Sequence, residues 1–379
     1  MEKLRYWLGF NLVRGIGPVR LRALLNYFGD VRTAWEAPEI ALREVGLDRR
    51  SLRNLLQVRR QVDLEQVLRK VEAAGAQVLT WESPTYPLLL QQISDPPPVL
   101  FVKGELTPAD EWAVALVGTR KATANGREVA RQLAGDLARN GVTVISGLAR
   151  GIDGIAHRAA LEAGGRTIAV LGCGVDQVYP PEHRRLAAEI MEHGALVSDY
   201  PLGTRPEGKN FPPRNRIISG LSLGALVVEA GLRSGALITA DFAADQGREV
   251  FAVPGNILNP AAAGCNRLLR DGAAVVTEVR DILETLHLDQ LAERQVAREI
   301  LPTNATEAAL LAQLSCEPCH VDALSREAHL PVEEVSSTLV MMELKGMVRQ
   351  VGALQYVLAR ESGPEYEITP TPSEAPPDA

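Results

Sequence analysis

Cysteine is scarce in this 379-residue chain, with four residues in all, which excludes a disulfide framework and fits a reducing compartment. No stretch approaches the roughly 20 apolar residues that span a bilayer, and Met1 to Phe10 lacks the long apolar run of a signal peptide; no membrane role and a cytoplasmic location are expected. No glycine-rich turn ends in Gly-Lys-Ser/Thr, so a P-loop is excluded, and Gly147-x-x-x-Gly151-x-x-Gly154 lacks the G-x-G-x-x-G spacing of dinucleotide sites. The carboxylates Asp153, Asp199, Glu229 and Asp241, with His157 and His183, form no recognisable nuclease, triad or metal-ligand set. An overall basic excess is missing too. The net charge of -7 nevertheless hides an uneven distribution: residues 1–60 are rich in arginine, the middle is near balance, and the acid excess lies beyond 287.

What is present reads as several domains with a sizeable core, 46% of residues being hydrophobic. Residues 1–75 read as short helices. Within them Gly15-Ile16-Gly17-Pro18 separates two apolar-periodic segments, either as a helix-hairpin-helix turn that meets a DNA phosphate or as the glycine turn of a small bundle. Residues 76–286 alternate strand and helix. Strands are expected at 77–81, 99–104, 113–117, 142–146, 167–171, 195–199, 225–229, 249–253 and 274–277, which predicts an α/β, doubly wound, mostly parallel sheet. Small and polar residues cluster just past the strand ends, where such sheets bind ligands, so these turns are expected to share one crevice. A linker over 287–302, a winged helix over 303–360 and a disordered acidic, proline-rich tail over 361–379 complete the reading.

Two stretches carry the chemistry. The turn from Ser146 to Gly154, delivered by the buried run Val142 to Ile145, predicts backbone N–H groups open to an anion, although Asp153 could instead cap the helix that follows. Arg120 and Arg150 place guanidinium groups beside it. Lys209-Asn210-Phe211-Pro212-Pro213-Arg214-Asn215-Arg216 combines cations, amides and one aromatic ring, as single-stranded nucleic acid requires for phosphate and base; the alternative is a solvated basic loop. Cys316-Glu317-Pro318-Cys319-His320 matches the C-x-x-C-H pattern of haem attachment and offers three zinc ligands, but is expected to be a turn between helices of the winged module. The helix expected to read DNA there carries Glu333, Glu334 and Glu343 against Lys345, a poor match for phosphates, so this module is expected to dock a protein or another domain.

Val117 to Arg120, Ser146 to Asp153, Lys209 to Gly220 and Ser234 to Ala240, in that order, resemble the DprA (Smf) family of DNA-processing proteins, and Pro254 to Asn256 and Gly264 to Leu269 extend the likeness. The resemblance implies an extended Rossmann-like domain that binds and protects incoming single-stranded DNA without chemistry and loads RecA in natural transformation. It also implies a homodimer formed through that domain, and no cofactor. Phosphates would be held by Gly118, Thr119, Arg120, Ser146, Gly147, Arg150, Gly151 and Lys209, and a base pocket shaped by Phe211, Arg214, Asn215 and Arg216. The rival reading is a nucleotide phosphoribohydrolase using Glu229, although Gly231-Leu232-Arg233-Ser234-Gly235 lacks the Pro-Gly-Gly-x-Gly-Thr turn of those enzymes.

Overall fold

The structure, a computed structural model, describes residues 3–288, 305–314, 319–328, 330–344, 347–352 and 354–358. The acidic tail, the linker from 289 on, and Cys316, Glu317, Pro318 and Lys345 lie outside the described residues. Contacts divide the chain into two compact units, Met1–Asp289 and Gln290–Ala379.

The first unit begins with helices α1 (Leu4–Leu12), α2 (Pro18–Phe28), α3 (Val31–Glu36), α4 (Glu39–Glu44), α5 (Arg49–Gln61) and α6 (Leu64–Ala73). Local chemistry sets where several of them start. Asp30, Asp48 and Asp63 accept hydrogen bonds from first-turn amides of α3, α5 and α6, which would otherwise lack partners. Their apolar faces converge on Trp7, Phe10, Leu24 and Trp35, and this cluster continues without a break into Val99, Phe101, Ala169, Leu171 and Leu196 of the sheet region. Trp7 meets Trp81 edge to face at 5.8 Å.

The sheet is built from β1 (Gln77–Thr80), β2 (Val99–Gly104), β3 (Ala113–Val117), β4 (Thr143–Ser146), β5 (Thr167–Val170), β6 (Gly194–Ser198), β7 (Gly224–Val227), β8 (Glu249–Ala252) and β9 (Ala274–Val275). The helices along it are α7 (Leu88–Gln91), α8 (Ala124–Arg139), α9 (Ile152–Glu162), α10 (Arg184–His193), α11 (Phe211–Gly220), α12 (Gly235–Asp245), α13 (Ala263–Arg270) and α14 (Val279–Thr285). Spatial order is β1-β2-β6-β5-β4-β3-β7-β8-β9. From β6 to β9 every pairing is parallel, and every residue of β3, β4, β5, β6 and β7 is buried, as strands covered on both faces must be. The connector between the helices and this array supplies an antiparallel edge, β1 on β2 and β2 on β6. Several expected strands run one or two residues too long at their carboxyl ends, because there the backbone leaves the ladder to form the loops described below.

The second unit contains α15 (Ala305–Gln313), β10 (Cys319–His320), α16 (Val321–Ala328), α17 (Val332–Leu344), β11 (Val348–Gly352) and β12 (Gln355–Leu358). Its strands pair in the order β10-β12-β11. Leu310, Leu324, Val335, Leu339, Met342 and Tyr356 form its own core. Cys319 and His320, expected in a turn between helices, instead pair as a short strand with Tyr356 and Gln355. Among the described residues no group of three or more His, Cys, Asp or Glu is placed to hold a metal, and no helix is long and apolar enough to cross a membrane.

Candidate nucleic-acid interface

The chain runs from β3 outward through β4, β5 and β6, then returns to lay β7 on the other side of β3. Loops from neighbouring strands part at such a reversal and leave a crevice at the carboxyl ends. A cleft of about 430 Å³ lies there. Its walls are the loop after β3 (Gly118 to Lys121) and the first turns of α11 and α12, with Ala149 and Asp153 from the start of the next βα unit.

The turn after β4 does not present the open amide hollow expected of it. The Asp153 carboxylate, in the first turn of α9, accepts from the amides of Gly147 at 3.2 Å and Ala149 at 3.3 Å, so an internal anion already sits where a phosphate was expected. Burial pushes the Asp153 carboxyl above the ordinary carboxylate range, against the pull of nearby Arg214. Ser146 is fully buried, its hydroxyl donating to the Leu116 carbonyl at 2.7 Å, so its side chain serves the sheet and not the cleft. Leu148 holds φ at 55°, a region L-residues avoid, while His183 Nδ1 donates to its carbonyl at 2.9 Å. Gly151 has a positive φ of 77°, and a Cβ there would collide with the Thr119 carbonyl. Only glycine lets this turn pack directly on the β3 loop that carries Arg120.

The run from Lys209 to Arg216 is the start of a helix, not a loop. Pro212 and Pro213 occupy the first turn of α11, where a missing N–H costs nothing. Helical phase then separates the arginines that sequence places side by side, since positions two apart point about 200° from each other. Arg214 is buried in the cleft floor, donating through Nη1 to the Gly147 carbonyl at 3.0 Å and to the Val170 carbonyl; burial lowers its pKa to about 10. Arg216, expected in the base pocket, faces the other way and pairs with Asp199 at 2.7 Å and Asp95 at 3.2 Å. Asn215 lines the cleft and donates to the Gly235 carbonyl at 3.3 Å. Phe211 stands at the mouth, with the Arg120 guanidinium 5.5 Å from its ring centre and Arg214 5.8 Å away.

Arg120 is exposed at the junction of three hollows. It lines the main cleft, a small side pocket shared with Gly147, Arg150 and Phe211, and a basin of about 460 Å³ between α8 and α9 that carries Arg127, Arg131 and Arg158 together with Glu128 and Glu162. Arg150 and Lys209 are exposed and paired with Glu182 and Glu207, ion pairs that solvent screens and a phosphate can displace. Gly118 and Thr119 line the cleft, and the Thr119 amide donates to the Glu229 carbonyl at 2.7 Å. The Glu229 carboxylate itself accepts from the Thr123 amide at 2.9 Å and hydroxyl at 2.7 Å, which commits it to the α8 N-terminus. Sequence reasoning passed over Tyr179, whose ring lies 5.8 Å from Phe211, and the arginines of the α8–α9 basin. An aromatic before two prolines, and Arg127 and Arg131 four residues apart on one helix, were the available signals.

Residues 77–287 match the family model described as DNA recombination-mediator protein A, and residues 295–353 match the DprA winged helix domain. The chain belongs to the DprA (Smf) family. Protein Smf of Synechocystis is 37% identical over 388 residues, covering 93% of this chain and 98% of that protein. The X-ray structure of DNA processing protein A from Streptococcus pneumoniae matches with a TM-score of 0.66 at 34% identity, over 74% of this chain and 95% of that one. A second DprA structure, from Helicobacter pylori and described for its single-stranded DNA binding mode, gives a TM-score of 0.51 at 30% identity, over 57% of this chain and 98% of that one.

Proposed function

We propose that this DprA-family chain binds single-stranded DNA without catalysis along the cleft at the sheet reversal, and acts as a recombination mediator that protects the strand and loads a RecA-type recombinase on it in natural transformation. The observation that carries the reading is Arg120 held over the Phe211 ring at the cleft mouth: a cation to meet a phosphate beside an apolar face on which a base can stack. Gly118, Thr119 and Gly147 shape the backbone of this rim, Gly151 lets the turn after β4 pack on it, Arg150 and the exposed Lys209 next to Gly208 add cations, and Arg214 and Asn215 form the floor. The Helicobacter pylori relative, described for its single-stranded DNA binding, supports the choice of ligand. A homodimer through the Rossmann-like domain and a cytoplasmic location belong to the same proposal.

Fluorescence anisotropy with oligo(dT) tests it. Arg120→Ala and Lys209→Ala should each weaken binding and lower the slope of log K against log salt by about 0.7. Phe211→Ala should cost about 1–3 kcal/mol with little change of slope. Unaltered affinity in all three variants would refute the assignment. Failure of the wild-type protein to promote RecA filament growth would refute the mediator role alone.

A further inference from the structure

The outer face of α5 carries cations and amides but no acid. Arg49, Arg50, Arg53 and Arg60 are exposed on one arc of the helix, with only the amides Gln57 and Gln61 among them and no carboxylate on that arc. Among the described residues none of the four guanidinium groups has an ion-pair or hydrogen-bond partner, whereas Arg59 on the inner side donates to the Ala37 and Ala34 carbonyls. Four unpaired guanidinium groups on one face make a local field of one sign, which attracts a ligand rich in negative charge. From Arg49 to Arg60 the face runs roughly 16 Å, and it borders a hollow of about 400 Å³ whose far wall is the Glu39–Arg43 ion pair of α4.

Its position relative to the cleft supplies the second observation. Asn11, near the end of α1, donates to the Asp199 carbonyl at 3.1 Å, just past β6. The glycine turn that follows therefore stands near the carboxyl end of β6, on the same edge of the sheet as the cleft. Exposed Arg14 in that turn lies close enough to Glu207 to help Lys209 hold its carboxyl below the usual range. On its other side the Arg14 carbonyl accepts from Asn54 of α5 at 2.8 Å. Lys209 and Arg14 thus both act on Glu207, and Arg14 in turn adjoins α5 through Asn54.

We infer that a single strand leaving the cleft past Lys209 continues over Arg14 and along the α5 face, held there by its phosphates alone. The inference rests on the cleft reading and extends its track into the helical region. No aromatic residue lies on the exposed arc of α5, so this part contributes affinity that depends on strand length and salt and is blind to base identity.

The test compares oligo(dT) of about 6 and about 20 nucleotides on the full chain carrying Arg14→Ala, Arg50→Ala and Arg53→Ala together. Alanine is the best helix former, so α5 is retained, and unchanged far-ultraviolet circular dichroism and Tm check this. The long strand should bind at least tenfold more weakly, with its salt slope lowered by about 2. The short strand should bind within about twofold of wild type, and the triple lysine variant should bind both strands nearly as well as wild type. Equal loss on both lengths, or no loss on the long one, would overturn the inference. If instead Arg120→Ala left both lengths unaffected while the triple variant weakened the long one, the cleft assignment would fall and the α5 face would stand alone.

Discussion

Arg214 and Arg216 show how one turn of helix divides identical side chains between two tasks. Both are buried, but Arg214 ties the ends of β4 and β5 together beneath the cleft, while Arg216 neutralises Asp199 on the far side of α11. Asp199 is itself raised above the carboxylate range by burial, so it depends on that partner to stay charged. Arg216→Ala should destabilise the protein by about 3–5 kcal/mol, the usual result of stranding one member of a buried ion pair. The folded fraction should still bind a short oligonucleotide like wild type. Urea unfolding and anisotropy on the same samples measure the two effects, and a large affinity loss without destabilisation would return Arg216 to the binding site.

At the level of elements, α11 decides what was legible in advance. Strands β3 to β7 could be placed from sequence because a parallel strand buried on both faces is an apolar run, and Ala113 to Val117 or Val142 to Ser146 fit no exposed segment. Arg120, Lys209 and Phe211 could be singled out because cations beside an aromatic just past strand ends are a local pattern. Which side chains turn inward was not legible, since it depends on helical phase, and the double proline disguised a helix start as a stiff loop. The occupied hollow behind Gly147 was hidden for a similar reason: only the folded turn shows that Asp153 reaches back over Ala149. α17 carries its own expectation. Glu333 and Glu334 are exposed on it beside Val340 and Met341, and Glu343 accepts from the Gln350 amide at 2.9 Å, so this helix offers phosphates no cation among its described residues. A fragment spanning the second unit, which has its own core, should leave duplex DNA unbound at physiological salt. A micromolar affinity in a gel shift would show the expectation to be mistaken.

For the molecule as a whole, acid should be a liability. His157 is fully buried, with Nδ1 2.7 Å from the Thr167 hydroxyl. That hydroxyl donates to the Val144 carbonyl at 2.6 Å, so its oxygen accepts from Nδ1–H and Nε2 is left as the bare nitrogen. Burial lowers the His157 pKa from 6.5 to about 3. Between those values the unfolded chain takes up a proton that the folded chain refuses. Stability therefore falls as pH drops through this window, by about 1.4 kcal/mol per unit from this one group. Asp153, raised in the folded state, acts in the opposite direction, so the test is the difference between wild type and His157→Gln. Urea midpoints followed from pH 7 downward should show the variant without that share of the slope; parallel profiles would exclude His157 as the cause. The carboxylate behind Gly147 has one more consequence. With that seat taken, a solitary inorganic phosphate gains little by entering, so at matched ionic strength it should displace a bound polymer no better than chloride does. A competition titration checks this, and if it holds, small inorganic anions leave the bound strand in place.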